Sequence, residues 1–365
     1  MKEKIFPLFE EKHQCRIKAA QIEAGDIPSV LQSMTSAGRV EIDVFAQDNM
    51  RLAPLVENNL VMDLTPYAKT IPAPVEKALL AVGYFNRKLF FMPYRPNVQI
   101  VYYNKKIFDK YNLAPPKDWD ELLASAKFFK QKEGVGRVLF KAWGNGPTAT
   151  QLYEFIVSAG GDPFTFNHPG TIKTFEFLQQ LWPYLSRDSL KAKWNTANDY
   201  IARESVYLMQ NWPFGIKIIL QDYKKKDIAT YHGFSGPARE AHVIGGEVLA
   251  IPRLSRNKDL ALQFISFMQS KEIQEMFINE LGWPSIRGDV YGEAQEWMKP
   301  HYQAVKEALR YGVFRQNVPY WSDFDRYINE AFVRVVIRGE SAPKTLNEYA
   351  VKMHKIIQKH EKKDL

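Results

Sequence analysis

Apolar and polar positions recur along the chain with two periods, and this alternation predicts which segments form helices and which form strands. Near the start of the chain, segments with helical spacing (2–12, 27–34 and 52–60) alternate with segments of strand character (15–22 and 42–46). Strands that alternate with helices predict an α/β fold with a mostly parallel sheet. Ligands bind beyond the carboxyl ends of strands in such sheets, so Asp48 and Asn49 are candidate ligand contacts.

The stretch 90–104 joins two apolar runs of strand character through a short polar segment that contains Tyr94 and Arg95. Pro93 and Pro96 lie in the same region and cannot donate a hydrogen bond to a neighbouring strand. Such a stretch is typical of a chain that leaves one packed unit and enters another. An ordinary hairpin with a polar turn shows the same pattern, so the stretch alone leaves both interpretations open.

Predicted helices and strands alternate again after residue 104. Asp118 and Glu121 have the spacing of a capping box at the start of a helix. Gly245 and Gly246 precede the apolar strand 248–251 and predict a second crossover between units. The other predicted elements are strands at 138–140 and 207–209 and helices at 151–158, 171–182, 258–268, 270–281, 293–309, 323–337 and 342–359.

Length, charge and cysteine content narrow the class of protein. A chain of 365 residues is too long for one comfortable core, which favours two domains. The net charge of +8 comes from lysines spread along the chain, which favours a solvated surface over nucleic-acid binding. No apolar run in the sequence approaches the ~18 residues of a membrane span. The single cysteine, Cys15, excludes an internal disulfide and a cysteine-clustered zinc site, and we expect neither metal nor other cofactor.

The candidate functional residues are mainly aromatic, and the sequence shows no catalytic motif. The sequence lacks the phosphate-binding loop, the dinucleotide-binding glycine motif and the HExxH zinc motif, and its histidines are scattered. Four tryptophans lie in loops beside turn residues, namely Trp143 (close to Asn145), Trp212, Trp283 and Trp321. Indoles beside amides and carboxylates suit a sugar ring and its hydroxyls. Packing explains any one tryptophan as well, whereas four in loops favour a binding site.

Several short motifs follow one another from near the N-terminus to about residue 357. They are 42–49 (IDVFAQDN), 60–64 (LVMDL), 93–108, 116–122 (PKDWDEL), 158–161 (SAGG), 245–252, 261–270 and 282–287 (GWPSIR). In this order and spacing they resemble the family 1 extracellular solute-binding proteins, the sugar-binding components of ABC importers related to maltose-binding protein. Asp118 replaces the threonine of the family's P-x-T-W-x-E-L signature.

The resemblance implies a two-lobed α/β fold, the periplasmic-binding-protein type II fold, in which hinge strands join the lobes and the ligand binds between them. The implied N-terminal lobe is 1–97 plus 251–311, the C-terminal lobe is 103–246 plus 316–365, and the hinge strands lie near 97–103, 246–251 and 312–315. Asp48 is expected to bind sugar hydroxyls and Trp212 to stack on a sugar ring. The full implied set of ligand-binding residues is Asp48, Asn49, Tyr94, Arg95, Trp143, Asn145, Trp212, Gly246, Glu247, Trp283, Arg287 and Trp321.

The start of the sequence departs from the family pattern. Family members normally begin with a strand before the first helix, whereas this sequence starts at that helix. Residues 1–25 are charged throughout and lack the apolar centre of a signal peptide, so either an export signal was removed before residue 1 or the protein is cytoplasmic. Glu23 or Asp26 would be substitute ligand contacts, although Asp26 also suits a helix cap.

The resemblance implies a monomeric, non-enzymatic protein that captures a carbohydrate, with a di- or oligosaccharide favoured. It would deliver the sugar to an ABC permease from the periplasm or the outer face of the cytoplasmic membrane. A second interpretation keeps the fold and binds an anionic solute, such as a sugar phosphate or an acidic sugar, through Arg95 and Arg287. A third is an enzyme acting on carbohydrate, with Asp48 and Glu247 as a carboxylate pair.

Overall fold

Helices and short strands follow one another throughout the computed structural model, which describes residues 1–361. The α-helices in this range are α1 (Phe6–His13), α2 (Ile27–Ser36), α3 (Ala53–Glu57), α4 (Lys77–Ala81), α5 (Lys105–Lys110), α6 (Trp119–Glu133), α7 (Asn145–Ser158), α8 (Pro169–Leu181), α9 (Trp194–Ala202), α10 (Gly215–Lys217), α11 (Lys258–Met268), α12 (Lys271–Met276), α13 (Lys299–Arg310), α14 (Trp321–Phe332) and α15 (Ala342–Glu361). The strands are β1 (Phe45–Asp48), β2 (Tyr84–Phe85), β3 (Lys88–Leu89), β4 (Met92–Val98), β5 (Ile100–Asn104), β6 (Val138–Leu139), β7 (Leu208–Asn211), β8 (Ile228–Tyr231), β9 (His242–Ala250) and β10 (Gly312–Phe314).

The chain divides into two units. Unit 1 consists of residues 1–97, 245–299 and 316–318, and unit 2 of residues 98–244, 300–315 and 319–361. The last four positions of the predicted segment 316–365 lie outside the described residues. Within those described residues, no helix is both long enough and apolar enough to cross a membrane.

Two segments belong to a different unit from the one that the sequence predicted. Residues 300–311 were expected in the first lobe, but the His301 ring lies 2.9 Å from the Thr230 hydroxyl and its side chain is buried in unit 2. Residues 316–318 were expected in the second lobe, but Asn317 bonds the backbone of Asn49 and of Leu52 in unit 1, at 2.6 and 2.8 Å. Tertiary hydrogen bonds of this kind leave no periodic trace in the sequence.

The stretch around residues 93–104 is a crossover and not a hairpin. Strand β4 pairs with β9, whereas β5 pairs with β7 and β8 in another sheet. The two strands are consecutive in sequence but enter different sheets, and the chain passes from unit 1 to unit 2 after Asn97. The hairpin interpretation is therefore wrong for this stretch.

The sheets are mixed, so the expectation of a mostly parallel sheet is wrong. In unit 2, β5 runs antiparallel to both β7 and β8, and only β6 runs parallel to β7. In unit 1, β1 runs antiparallel to β9, with Asp48 opposite Glu247. Alternation of strands and helices predicts the layers but not the direction of each strand, because crossovers between units add antiparallel neighbours.

The predicted strand at 15–22 does not form. Its residues are exposed or half-buried, and the backbone N–H of Ile17 donates to the Glu10 carboxylate at 2.6 Å instead of to a neighbouring strand. An alternating pattern stabilises a strand only where a partner strand accepts its hydrogen bonds. Asp26 does take the N-cap position of α2, but its side chain makes no capping hydrogen bond.

Helix α6 shows how local sequence fixes one element. The Asp118 carboxylate accepts the N–H of Glu121 at 2.9 Å, as the capping-box spacing predicts. The Glu121 carboxylate accepts the N–H of Lys117 at 2.8 Å, one residue before the expected donor. Gly134 ends the helix with φ of +72°, a left-handed conformation that glycine adopts without strain.

Gly246→Ala is expected to lower the free energy of unfolding by at least about 2 kcal/mol. Gly246 has φ of +111°, and an added Cβ would lie 2.3 Å from the carbonyl oxygen of Arg95 in β4. The backbone cannot yield without disturbing the pairing of β4 with β9. Urea unfolding of the variant measures the loss. The control is Gly292→Ala, where a Cβ meets nothing within 4 Å, and equal stability of the two variants would contradict the clash.

Candidate functional site

Five polar and aromatic side chains of unit 1 gather where β1, β4 and β9 lie side by side. We call Asp48, Tyr94, Arg95, Glu247 and Trp283 the Arg95 group. The strand register sets Asp48 directly opposite Glu247. Tyr94 Oη donates to Glu247 Oε2 at 2.7 Å, and Arg95 Nη2 donates to Glu247 Oε1. The group therefore places two carboxylates, one guanidinium and one phenol in a connected cluster.

Trp283 completes the Arg95 group as an aromatic platform. The Arg95 guanidinium lies 4.3 Å from the centre of the indole ring, within the range of a cation–π contact. The Arg95 and Glu247 side chains remain 21% and 31% exposed, so the salt bridge is open to a solute. Because Trp283 and Glu247 hold the guanidinium from two sides, Arg95 is pre-organised rather than free to swing.

The electrostatics of the group keep Arg95 charged. Burial alone would lower the pKa of Arg95, but the carboxylates of Glu247 and Asp48 outweigh it and the pKa stays raised. Burial and the neighbouring Glu247 raise the pKa of Tyr94, so its hydroxyl remains a donor. The charge of Arg95 is thus already balanced by a carboxylate of the same unit.

Beside the Arg95 group, Gly246 lets β9 approach the backbone of β4 closely, and Asn49 bonds β9 directly. Asn49 Nδ2 donates to the carbonyl oxygen of Gly245 at 3.0 Å. Among residues 1–361, three buried polar atoms of this region lack a hydrogen-bond partner, namely Asn49 Oδ1, Arg95 Nε and Asn97 Oδ1. Two of these atoms are acceptors and Arg95 Nε is a donor, so a hydroxyl, which both donates and accepts, is able to satisfy either kind.

Arg287 is committed to contacts within unit 1. Its side chain is 8% exposed and donates to both oxygens of Asp289, at 2.9 and 2.7 Å. Its Nη1 also donates to the carbonyl oxygen of Gln269 at 3.3 Å. Hydrogen bonds from Arg287 lower the pKa of Asp289, as expected of a bidentate pair. The guanidinium N–H groups of Arg287 are therefore hydrogen-bonded to acceptors of the protein itself.

In unit 2, a second group of side chains is built around two neighbouring indoles whose planes are tilted by 47°. We call Lys141, Trp143, Lys193, Trp194 and Trp212 the Trp194 group. Trp212 is only 7% exposed, and its ring lies 5.4 Å from that of the half-buried Trp194. Trp143 is 44% exposed, with Lys193 Nζ 3.6 Å from its ring centre. Within this group, the indole surface open to solvent belongs to Trp143 and Trp194, and Trp212 packs against Trp194.

The other predicted residues of unit 2 occupy different surroundings. Asn145 begins α7 in a left-handed conformation, with φ of +53°, and its carbonyl accepts from Asn329 at 3.3 Å. Trp321 is 3% exposed and packs against Phe324 and Tyr153, with ring centres 5.0 and 5.9 Å away. Trp321 therefore contributes to the packing at the start of α14.

Sequence reasoning missed Lys141, Lys193, Trp194 and Asn97. Lys141 is the only charged residue in the run VLFKAW that leaves β6, and a single lysine in such a run is a signal that could have been used. Lys193 is the N-cap residue of α9 and Trp194 is its first residue, and Asn195 directly after them is a turn residue that could have been used as a signal. In the part of the chain from 1 to 361, no three histidine, cysteine or acidic side chains are grouped to hold a metal ion.

Comparison with known proteins finds the chain similar to extracellular solute-binding proteins. The profile of the bacterial extracellular solute-binding protein family matches residues 4–304. An ABC transporter extracellular-binding protein of Pyrococcus horikoshii is 25% identical over 294 residues, which is 74% of this chain and 64% of that relative. The chain thus spans less than two thirds of the length of that relative.

Two solved structures share the fold. Maltose-bound MalE3 of T. maritima is 18% identical with a TM-score of 0.84, over 97% of this chain and 95% of that one. UgpB of Mycobacterium tuberculosis in complex with glycerophosphocholine is also 18% identical, with a TM-score of 0.81, over 98% and 95%. These likenesses confirm the predicted α/β fold of MalE-type proteins. The chain belongs to the bacterial extracellular solute-binding protein family.

Proposed function

We propose that this chain captures a neutral, hydroxyl-rich solute and presents it to an ABC permease. A sugar is the solute class that fits best, with a di- or oligosaccharide favoured because unit 2 offers more than one indole face. The protein would work as a monomer, in the periplasm or on the outer face of the cytoplasmic membrane. Family membership supports the transport role, and the Arg95 group supports the solute class.

The pairing of the two arginines is the observation that carries this proposal. In unit 1, Arg95 is paired with Glu247 and Arg287 with Asp289, so a carboxylate already balances the charge of each guanidinium, while Arg95 Nε stays without a hydrogen-bond partner. The unpartnered atoms Asn49 Oδ1 and Asn97 Oδ1 are acceptors, and acceptors bind hydroxyl donors. A phosphate or carboxylate would face Asp48 and Glu247 across a short distance, which is unfavourable.

An anionic or zwitterionic solute is the second candidate. Lys193 lies against the exposed indole of Trp143, which is a cation next to a stacking surface. UgpB, which shares the fold, was solved with glycerophosphocholine, a compound that carries a phosphate. This candidate places the solute charge on unit 2 and leaves the acceptors of unit 1 unexplained, so we rank it below a neutral sugar.

Family membership favours binding over catalysis, because the matching profile is that of solute-binding proteins. Glu247 fits this view, since its two oxygens accept hydrogen bonds from Tyr94 and Arg95 and hold that group together. We therefore propose binding without chemistry, and release of reducing sugar from an oligosaccharide by the purified protein would contradict this view.

Thermal unfolding in the presence of candidate solutes tests the proposed function. We expect maltose or a longer neutral oligosaccharide to raise the melting temperature, because a ligand at ~100 times its dissociation constant adds about 2.7 kcal/mol. Salt at about 1 M, where the Debye length is ~3 Å, should leave this shift unchanged. A shift with glycerophosphocholine or glucuronic acid alone, lost in salt, would favour the second candidate, and no shift with any sugar would contradict the proposal.

A further inference from the structure

Lys141 is a buried ammonium at the centre of unit 2. Its side chain is 1% exposed and follows β6, whose last residue is Leu139. Lys141 Nζ donates to the carbonyl oxygen of Gln210 at 2.6 Å and to Gln99 Oε1 at 3.3 Å. It also lies 5.4 Å from the ring centre of Trp194. One side chain thus connects the ends of β6 and β7 with the aromatic pair.

Those contacts place Lys141 behind the proposed stacking surface. Gln210 immediately precedes Asn211 and Trp212 at the end of β7. Asn211 Nδ2 donates to the backbone carbonyl oxygen of Trp194 at 2.8 Å, so β7, which Lys141 contacts, holds the backbone of Trp194 and continues directly into Trp212. The backbone N–H of Lys141 donates to Gln151 Oε1 at 2.9 Å, which anchors the lysine to α7.

We propose that Lys141 is the positioning residue of the Trp194 group, and that its ammonium sets the orientation of Trp194 and Trp212 in which the solute is bound. The proposal rests on the solute-capture function above and identifies a residue through which that function depends on pH. Lys141 touches no solute itself. It acts by holding the Gln210 carbonyl and the face of Trp194.

The surroundings of Lys141 explain why a lysine is costly there. Gln99, Gln210 and Trp194 are neutral, and burial lowers the pKa of Lys141 to about 7, although the Glu154 carboxylate on α7 opposes this fall. Glu154 is itself paired with His242, which bonds Glu240 at 2.9 Å. Three charged groups are thus linked to Lys141 through these contacts. They are Glu154 on α7, His242 at the start of β9 and Glu240 just before that strand. Burial of a lysine among neutral groups carries a desolvation cost, and groups perturbed in this way cluster at functional sites.

The expected consequence is a pH-dependent binding surface. As the pH rises through about 7, Lys141 loses its proton, and both its hydrogen bond to Gln210 and its attraction to the Trp194 ring weaken. Solute affinity should therefore fall by about five- to ten-fold between about pH 6 and about pH 8. The tryptophan emission of the solute-free protein should change over the same interval, because Trp194 is the affected ring.

Two variants and two readouts test this role. Lys141→Met is expected to weaken maltose binding about ten-fold at pH 6 and to remove the pH dependence of both affinity and emission. Trp194→Phe should also remove the emission change. Lys173→Met is the matched control, since Lys173 is exposed on α8 and should keep the wild-type pH profile.

The outcomes separate this proposal from the proposed function. If no sugar binds the wild-type protein but its emission changes near pH 7 and Trp194→Phe abolishes the change, the function fails and the coupling of Lys141 to Trp194 stands. Emission that is constant from about pH 6 to about pH 8 in the wild-type protein overturns the proposal whether or not sugar binds. This measurement needs no variant, so it decides the matter even if Lys141→Met does not fold.

Discussion

Glu247→Ala is expected to weaken sugar binding by at least about 100-fold and to lower the free energy of unfolding by about 1–2 kcal/mol. Glu247 accepts hydrogen bonds from both Tyr94 and Arg95. Without it, the guanidinium loses its partner and swings away from Trp283, and the solute loses the ordered face. The stability loss is the smaller effect because both charged side chains are partly exposed.

Calorimetric titration with the sugar that stabilises the wild-type protein measures the first effect, and urea unfolding measures the second. Glu41→Ala is the matched control, because Glu41 pairs with Arg39 in the same unit but both side chains are more than half exposed. The control should retain wild-type affinity. Wild-type affinity in Glu247→Ala would show that the Arg95 group does not bind the solute.

Glu154→Leu is expected to lower the free energy of unfolding by about 3–5 kcal/mol, the largest stability effect that we predict. Glu154 is 3% exposed. Its carboxylate accepts the backbone N–H of Val243 and the side-chain amide of Gln210, both at 2.6 Å, and lies 3.7 Å from His242 Nδ1. Replacing it leaves two buried donors without their acceptor and removes one of the two carboxylates that face the buried His242, which keeps only Glu240. Glu176→Leu, on the exposed face of α8, should cost almost nothing in comparison.

The contacts of Glu154 and Glu240 with His242 also predict how stability changes with pH. Burial alone would lower the pKa of His242, but the carboxylates of Glu154 and Glu240 outweigh it and raise the pKa to about 9. Its stabilising contribution is therefore complete below the unfolded pKa of ~6.5 and is lost as the pH rises through about 9. Urea unfolding at about pH 6 and about pH 9.5 should show this loss in the wild-type protein, and His242→Gln should lack it. An alkaline loss that persists in His242→Gln would assign it to other groups.

Local signals explain the parts of the fold that the sequence predicted well. The cap at Asp118 and the left-handed Gly134 set the limits of α6 through contacts within a few residues. The pattern at 15–22 alternates equally well, yet it forms no strand because no neighbouring strand accepts its hydrogen bonds. Periodicity reports which side of a segment is apolar, whereas a strand also needs a partner that is distant in sequence.

The Arg95 group and the Trp194 group differ in how much of each could be predicted from the sequence. Asp48 follows a recognisable strand signal, so position alone marked it, whereas the family resemblance marked Glu247, and the register then sets them opposite each other. Lys141 follows the predicted strand 138–140, but the sequence does not reveal its contacts, which are a hydrogen bond to residue 210 and the ring of Trp194, 53 residues along the chain. A single sequence can place residues at strand ends but cannot report which buried cation lies behind an indole.

A crystal structure of the protein grown with the sugar that most raises its melting temperature tests the central claim most directly. We predict a sugar hydroxyl within about 3 Å of Asp48 or of Asn49 Oδ1, with the salt bridge between Arg95 and Glu247 still in place. A sugar that makes no contact with the Arg95 group, or an Arg95 that has left Glu247 to bind an anion, would contradict the assignment of this chain as a neutral-sugar receptor.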